Sequence, residues 1–291
     1  MKLCLYQPEV LYAQPAANLQ RFEACLAAQS EPLTNALVLL PELFTTGYVF
    51  ENREQLLPLA ESVPNGQTCQ RLAALARQYG CTLVAGLAER VADPEGDRLF
   101  NSAVAFNPQG FIGRYRKLAQ TNIDRLYFER GGEDISQMQV SQPTLGEVGN
   151  LLIFNWTVGE RTLRCGVAIC FDLWFPQIGQ AYAREEVDLL LHPANFAGPQ
   201  TLMVARGQAI AAGLAIATCN RVGSESARGL SATYRGESQV VDAQGKILVQ
   251  AGGKAEFVTV NLDFPSYGER SRRILGVDWW DETNAIAQRL G

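Results

Sequence analysis

The apolar run Arg164-Cys165-Gly166-Val167-Ala168-Ile169 stops at Cys170 and is followed by Phe-Asp-Leu-Trp-Phe-Pro-Gln, which reads as a strand turning abruptly into a helix at a thiol. Layered α/β sheets gather ligands at the carboxyl ends of their strands. Backbone N–H groups at a strand-to-helix turn favour a thiolate and can receive an oxyanion. Glu42, in Pro41-Glu42-Leu43-Phe44, follows the apolar run Leu37–Leu40 and lands at a second strand end, where poor solvation raises a carboxyl toward the range of a useful general base. Lys117 closes a hairpin strand read over Gly113–Lys117, and a partly desolvated ammonium can hold developing negative charge. Each residue alone also has a structural reading: a buried packing cysteine, a capping or rim glutamate, a solvated Arg-Lys pair. Together they form the nucleophile, base and electrostatic partner of acyl transfer.

The elements that must carry these groups are short apolar runs bounded by Gly, Pro and Asn, alternating with longer helical patterns. Strands are expected at Leu3–Gln7, Ala36–Leu40, Thr82–Ala88, Ala103–Asn107, Leu151–Trp156, Arg164–Ile169, Asp188–His192 and Ala215–Asn220. Apolar residues at three- and four-residue spacing predict helices at Ala16–Gln29, Gln67–Tyr79, Pro176–Ala183 and Gln200–Ala212. Turn chemistry at Pro108-Gln109-Gly110, Val158-Gly159-Glu160 and Ala243-Gln244-Gly245 predicts hairpins, so the sheets of this α/β chain should be mixed. Segments Gly131–Gly149 and Gly223–Gly236 lack periodicity and read as surface loops.

At 291 residues the chain is read as a single domain, and 47% hydrophobic against 19% charged residues supplies a large core. With 25 basic against 30 acidic residues the net charge is -5, without long blocks of either sign, which offers nucleic acid or a membrane surface no electrostatic footprint. No apolar run reaches transmembrane length, and the start MKLCLYQPEV reads as a first strand rather than a signal peptide. Seven cysteines, an odd number without C-x-x-C pairs, fit reduced thiols in a cytoplasmic protein. A single histidine, His192, argues against an imidazole-built metal site, and no cofactor is expected.

Pro-Glu-Leu-Phe with Glu42, Gly-Arg-Tyr-Arg-Lys with Lys117 and Cys-Phe-Asp-Leu-Trp-Phe-Pro with Cys170 occur in an order, and at spacings of 75 and 53 residues, that resemble the nitrilase, or carbon–nitrogen hydrolase, superfamily. Asn-Ser-Ala-Val-Ala-Phe-Asn-Pro-Gln-Gly from Asn101, His-Pro-Ala-Asn from His192, Asn-Arg-Val-Gly from Asn220 and Val-Val-Asp-Ala-Gln-Gly-Lys from Val240 add to the likeness, which covers roughly residues 1–262 and leaves 263–291 as a tail. The resemblance implies a four-layer α-β-β-α sandwich that pairs into dimers or larger assemblies. It also implies a small-molecule amide, nitrile or carbamoyl substrate, with Glu42 as base, Cys170 as nucleophile, and Lys117 with the Phe171 N–H stabilising the tetrahedral intermediate. Tyr48, Trp174, Asn195 and Phe196 are the substrate-contacting candidates. An amidase forming a thioester is expected first, a nitrilase or N-carbamoyl amine hydrolase second, and a non-catalytic binding protein last.

The chain also departs from the family's pattern. In the run Asp124-Arg125-Leu126-Tyr127-Phe128-Glu129, Asp124 takes the place of a frequent glutamate and Glu129 is its rival. Trp174 and Gln177 stand where Arg and Glu are frequent, which fits an ion pair replaced as a unit and puts a large aromatic near the nucleophile. A Cys–His pairing of Cys170 with His192 is the competing mechanism, disfavoured because His192 precedes Pro193 without a protease signature. Arg206, Asn220 and Arg221 are read either as ligands for a substrate carboxylate or as braces for loops.

Overall fold

Alternating or continuous apolar runs rich in Leu, Val and Ala form two sheets in a computed structural model, which describes residues 1–132, 146–148, 150–263, 273–274 and 277–290. The first sheet contains β1 (Lys2–Gln7), β2 (Leu37–Leu39), β3 (Thr82–Val91), β4 (Arg98–Asn107), β5 (Gly110–Arg116) and β15 (Glu256–Asn261), in the spatial order β15-β1-β2-β3-β4-β5. The second contains β6 (Gly146–Val148), β7 (Leu151–Val158), β8 (Arg161–Val167), β9 (Leu189–Pro193), β10 (Ala215–Cys219), β13 (Gln239–Val241) and β14 (Ile247–Gln250), in the order β14-β13-β10-β9-β8-β7-β6. In each sheet parallel pairs occupy the middle, β1-β2-β3 and β8-β9-β10, and antiparallel pairs flank them. The sheets are mixed, as the hairpin turns predicted. All three of those turns connect adjacent strands: β4 to β5, β7 to β8 and β13 to β14.

Period-2 alternation divides each sheet's side chains between two faces. Leu3, Leu5, Leu37, Leu39 and Val84 from the first sheet meet Phe154, Trp156, Val167, Leu189 and Leu191 from the second in one buried cluster between the sheets. The outer face of the first sheet, through Cys4, Val38, Leu83 and Val104, packs on α1 (Pro15–Ala27) and α3 (Gln67–Tyr79) through Leu19, Phe22, Leu72 and Leu75. The outer face of the second, through Ala168, Leu190 and Ile216, packs on α5 (Pro176–Arg184) and α6 (Gln200–Ala212) through Tyr182, Ala183, Ala205 and Ala209. The result is the four-layer α-β-β-α sandwich. Each fully buried leucine contributes about 1.5–3 kcal/mol relative to an exposed one. Shorter helices α2 (Arg53–Leu56) and α4 (Asp124–Tyr127) lie in connections, and α7 (Trp279–Leu290) follows the two-stranded β16 (Arg273–Ile274) and β17 (Val277–Asp278), so the segment read as a tail carries structure of its own.

Two loop expectations are overturned, one of them in part. Gly223–Gly236 is not a loop but an antiparallel ribbon, β11 (Val222–Ala227) against β12 (Leu230–Arg235), turning at Arg228 and Gly229 with positive φ of 53° and 72°. Its outward residues are hydroxylic and pair across the strands, Ser224 with Thr233 at 2.8 Å and Ser226 with Ser231 at 2.7 Å, so the apolar signal of a strand is missing. Of the other predicted loop, Gly131–Gly149, residues 133–145 and 149 lie outside the described residues, and Gly146–Val148 is not loop but the edge strand β6, paired antiparallel with β7.

Candidate active site

Glu42 leaves β2 three residues after Leu39 and is buried completely. The next residue, Leu43, has a φ of 48°, a left-handed conformation that a branched side chain seldom adopts. Behind this bend runs the backbone of Gly86 on β3: the Phe44 N–H donates to the Gly86 carbonyl at 3.0 Å, and the Gly86 N–H to the Pro41 carbonyl at 3.1 Å.

Lys117 follows β5 directly and is also buried. Its Nζ donates to Glu42 Oε1 at 2.7 Å and to Asp124 Oδ2 at 2.8 Å. Asn101 on β4 ties the two carboxylates together, its Nδ2 lying 2.7 Å from Glu42 Oε1 and 3.2 Å from Asp124 Oδ1. Two carboxylates thus share one ammonium, and their surroundings push them apart. Burial acts to raise Asp124, but Lys117 and the N–H and hydroxyl of Thr121 outweigh it and hold the carboxyl below its ordinary range. Burial, with the nearby Asp124 charge, lifts Glu42 above the glutamate range despite Lys117, and Glu42 Oε2 has no hydrogen-bond partner among the described residues. A carboxylate pair split in this way can divide proton-accepting and cation-holding work between its members. Burial disfavours the charged form of Lys117, yet the surrounding acidic groups hold it well above its ordinary value, so the ammonium persists.

Cys170 lies three residues past the end of β8, at the start of a short 3₁₀ turn, Cys170–Trp174. Its φ is 45°, a strained conformation of the kind that clusters at functional sites. Burial and the Glu42 charge keep the thiol well above its ordinary pKa, so it rests protonated. The Sγ–H points to the Asn195 carbonyl at 3.7 Å. No hydrogen bond among the described residues takes up the Phe171 N–H, which leaves it available to an oxyanion. The site therefore draws the Glu42 carboxyl and the Lys117 ammonium from the first sheet and the Cys170 thiol from the second.

The remaining candidates divide. The Tyr48 ring lies 5.6 Å from Lys117 Nζ and its hydroxyl is 2.6 Å from Thr121 Oγ1, which puts it beside the polar cluster. The carboxamide of Asn195 is buried with both polar atoms unpartnered among the described residues. Phe196 packs in the core between the sheets, its backbone N–H and carbonyl held by the Asn220 side chain. Trp174 is 42% exposed, with its ring 6.0 Å from Phe171.

Glu129 is not the second carboxylate: it pairs with Arg98 at 2.5 Å, away from Lys117. His192 is not a base for the thiol. Its Nε2 lies 2.9 Å from the Cys170 carbonyl and its Nδ1 3.0 Å from Thr218 Oγ1, while burial lowers its pKa to about 4, so a neutral ring steadies the backbone of the cysteine. Arg206, Asn220 and Arg221 are braces: Arg206 bonds the Gly245 carbonyl, and Arg221 forms a buried pair with Glu225. Glu225 in turn accepts the N–H groups of Tyr48 at 3.0 Å and Val49 at 3.1 Å, fastening the β11–β12 ribbon to the segment that carries Glu42. Asn101, Thr121, Glu225 and Gly86 had no assigned role in the sequence. Asn101 opens a recognisable segment; Glu225 and Gly86 have no local signal, since each acts through a partner distant along the chain, whereas Thr121 bonds Asp124 only three residues on.

A family model described as "Carbon-nitrogen hydrolase" matches residues 2–272. Among curated proteins, a nitrilase of Pyrococcus abyssi is 32% identical over 92% of this chain and 90% of its own length. The omega-amidase NIT3 of Saccharomyces cerevisiae is 27% identical over 90% of this chain and 87% of its own. Among solved structures, a mutant of the amidase from Nesterenkonia sp. AN1, with acrylamide added at its active-site cysteine, superposes with a TM-score of 0.74 at 22% identity, covering 100% of both chains. Nit3 of Saccharomyces cerevisiae superposes with a TM-score of 0.72 at 24% identity over 94% of this chain and 97% of its own.

Proposed function

Because the chain belongs to the carbon–nitrogen hydrolase family, we propose that it is a small-molecule amidase that releases a carboxylic acid and ammonia through a thioester at Cys170. The observation that carries this reading is the single Lys117 ammonium bridging Glu42 and Asp124 at 2.7 and 2.8 Å beside a thiol on a strained turn. Glu42 takes the Sγ proton as sulfur attacks the amide carbon. The oxyanion is held by Lys117 Nζ and the Phe171 N–H, while Asp124 keeps Lys117 in position. Collapse breaks the carbon–nitrogen bond, and the proton on Glu42 passes to the departing nitrogen. Water, deprotonated by Glu42, then attacks the thioester carbonyl; the acid leaves and the thiol regains its proton. Tyr48, Trp174, Asn195 and Phe196 are the proposed contacts for the substrate's body.

A nitrile would enter the same sequence by accepting sulfur at its cyano carbon, and the P. abyssi relative bears that name. Ammonia release from a panel of short amides, ω-amides of dicarboxylates, N-carbamoyl amines and nitriles separates these substrates. On the best of them, Cys170→Ala is expected to abolish turnover while leaving the circular dichroism spectrum unchanged, and intact-mass measurement of the parent enzyme should trap the acyl-enzyme on the Cys170 peptide. Full activity in Cys170→Ala overturns the mechanism.

The reading extends to the whole chain, taken as one domain with 263–291 as an appended segment. It is also taken as a cytoplasmic protein, with seven free cysteines in keeping with a reducing compartment. A homodimer or larger assembly is part of the same proposal. Exposed Met203 and Ile210 on α6, with Trp174 and Phe175 ahead of α5, offer apolar surface that a second copy could cover, and light scattering on the eluting protein measures its mass.

A further inference from the structure

Asp172, two residues past the proposed nucleophile, is buried completely and has no part in the reaction sequence above. Its Oδ1 accepts the backbone N–H groups of Leu118 at 3.2 Å and Ala119 at 2.7 Å. Its Oδ2 accepts the Tyr115 hydroxyl at 2.8 Å and the Ile169 N–H at 2.8 Å. Three of these donors lie within two residues of Lys117, and the fourth immediately precedes Cys170. One carboxylate therefore grips the chain on both sides of the ammonium and on both sides of the thiol, although these groups come from different sheets.

We propose that Asp172 is a positioning residue that fixes the separation and orientation of Cys170 relative to Lys117, so that sulfur and ammonium meet the same carbonyl without rearrangement. A carboxylate serving only to cap the 3₁₀ turn would need the Ile169 N–H alone. Glu89 shows the purely structural alternative in this same molecule. It is buried too, but its partners Ser102, Arg114 and Arg116 all lie on the adjoining β4 and β5, so it links strands of one sheet. Asp172 instead spans the gap between sheets at the point where the reacting groups face each other. The charged and titratable groups that bear on it are Tyr115 and Lys117 from the first sheet and Tyr182 from α5. Misplacing reacting groups by about 1 Å is enough to cost about 100-fold in rate.

The inference rests on the amidase reading, and the test keeps the two apart. Asp172→Asn and Tyr115→Phe are compared with the parent enzyme on its best amide, together with the rate at which iodoacetamide alkylates Cys170. Expected are a fall in kcat of about 100-fold for Asp172→Asn and about tenfold for Tyr115→Phe, with KM within about threefold and alkylation slowed in the same order. If Asp172→Asn gives no cooperative unfolding transition, Tyr115→Phe decides, since it removes one of four hydrogen bonds and leaves the carboxylate in place. A folded variant with parental kcat, or a loss confined to KM, overturns the inference. When that happens with Cys170→Ala inactive, the amidase reading stands; activity in Cys170→Ala removes both.

Discussion

Gly86 on β3 runs so close behind Glu42 that a methyl group added to it would stand 2.5 Å from the Glu42 Cα and 2.8 Å from the Leu43 amide nitrogen. The neighbours at risk are backbone, held by the Phe44-to-Gly86 and Gly86-to-Pro41 hydrogen bonds, and cannot swing aside as a flexible side chain would.

Gly86→Ala is therefore expected to displace Glu42. Stability should fall by about 1–3 kcal/mol, the usual cost of overpacking, and kcat/KM by at least about tenfold. Urea titration and ammonia release measure the two effects; an alanine variant with parental values for both would show that the bend tolerates movement.

Activity should decline on the acid side with a midpoint above the ordinary glutamate range. Glu42 must be ionised to act as base, burial raises its pKa, and protonation at falling pH silences it. Since Lys117 stays charged to well above its usual value, no loss on the alkaline side should trace to it. The apparent midpoint belongs to the coupled Glu42, Asp124 and Lys117 cluster rather than to one residue. A kcat/KM profile with its acid limb at or below about 4.3, the free glutamate value, contradicts the assignment of Glu42 as the base.

Asn101→Ala removes the amide that donates to both carboxylates. Glu42 Oε1 keeps Lys117, but Asp124 Oδ1 is left without a donor, which costs about 1–3 kcal/mol of stability, and kcat should fall with it as Glu42 and Asp124 lose their common brace. Asn101→Asp should be more damaging, because a third carboxylate would then compete for one ammonium. Unfolding curves and steady-state rates for both variants test the ranking; a more active aspartate variant reverses it.

Most of the scaffold was legible because its signals are local. Leu37–Leu39, Thr82–Val91 and Leu189–Pro193 are apolar runs of strand length, α3 carries an apolar stripe, and the three hairpins announce themselves by their turn residues. The β11–β12 ribbon was missed because Ser224, Ser226, Ser231 and Thr233 satisfy one another across the strands instead of showing alternate apolar positions. In the site, Glu42, Lys117 and Cys170 could be picked out since each terminates a recognisable run. Asp124 could be nominated but not separated from Glu129, because the deciding fact is a 2.8 Å contact to Lys117 that only folding creates. Asp172, Glu225 and Gly86 reach across the fold to partners 53 to 57, 176 to 177 and about 44 residues away, beside the local bonds that Asp172 makes to Ile169 and Glu225 to Arg221, and no window along the chain brings the distant pairs together.

His192 should make the protein acid-sensitive. Its pKa of about 4 lies below that of the same ring in the unfolded chain, about 6.5, so the unfolded state binds the extra proton and stability drains away as pH falls through that window, by at most about 3 kcal/mol. Asp172, raised to about 6 by burial, acts in the opposite sense, so total stability is an ambiguous readout. The difference between parent and His192→Gln isolates the ring: the variant should lose less stability between pH 6.5 and 4, whatever its level at pH 7. Parallel curves would mean that His192 is not buried neutral.

Burying the thiol on one sheet, with the Glu42 carboxyl and the Lys117 ammonium facing it from the other, also protects the cysteine. Peroxides and disulfides react with thiolate rather than thiol. In the closed sandwich, burial keeps Cys170 protonated until a substrate is engaged. A resting thiol held in this way offers oxidants little of the anion they attack, so the same burial that makes the cysteine depend on a neighbouring carboxylate also shields it at rest.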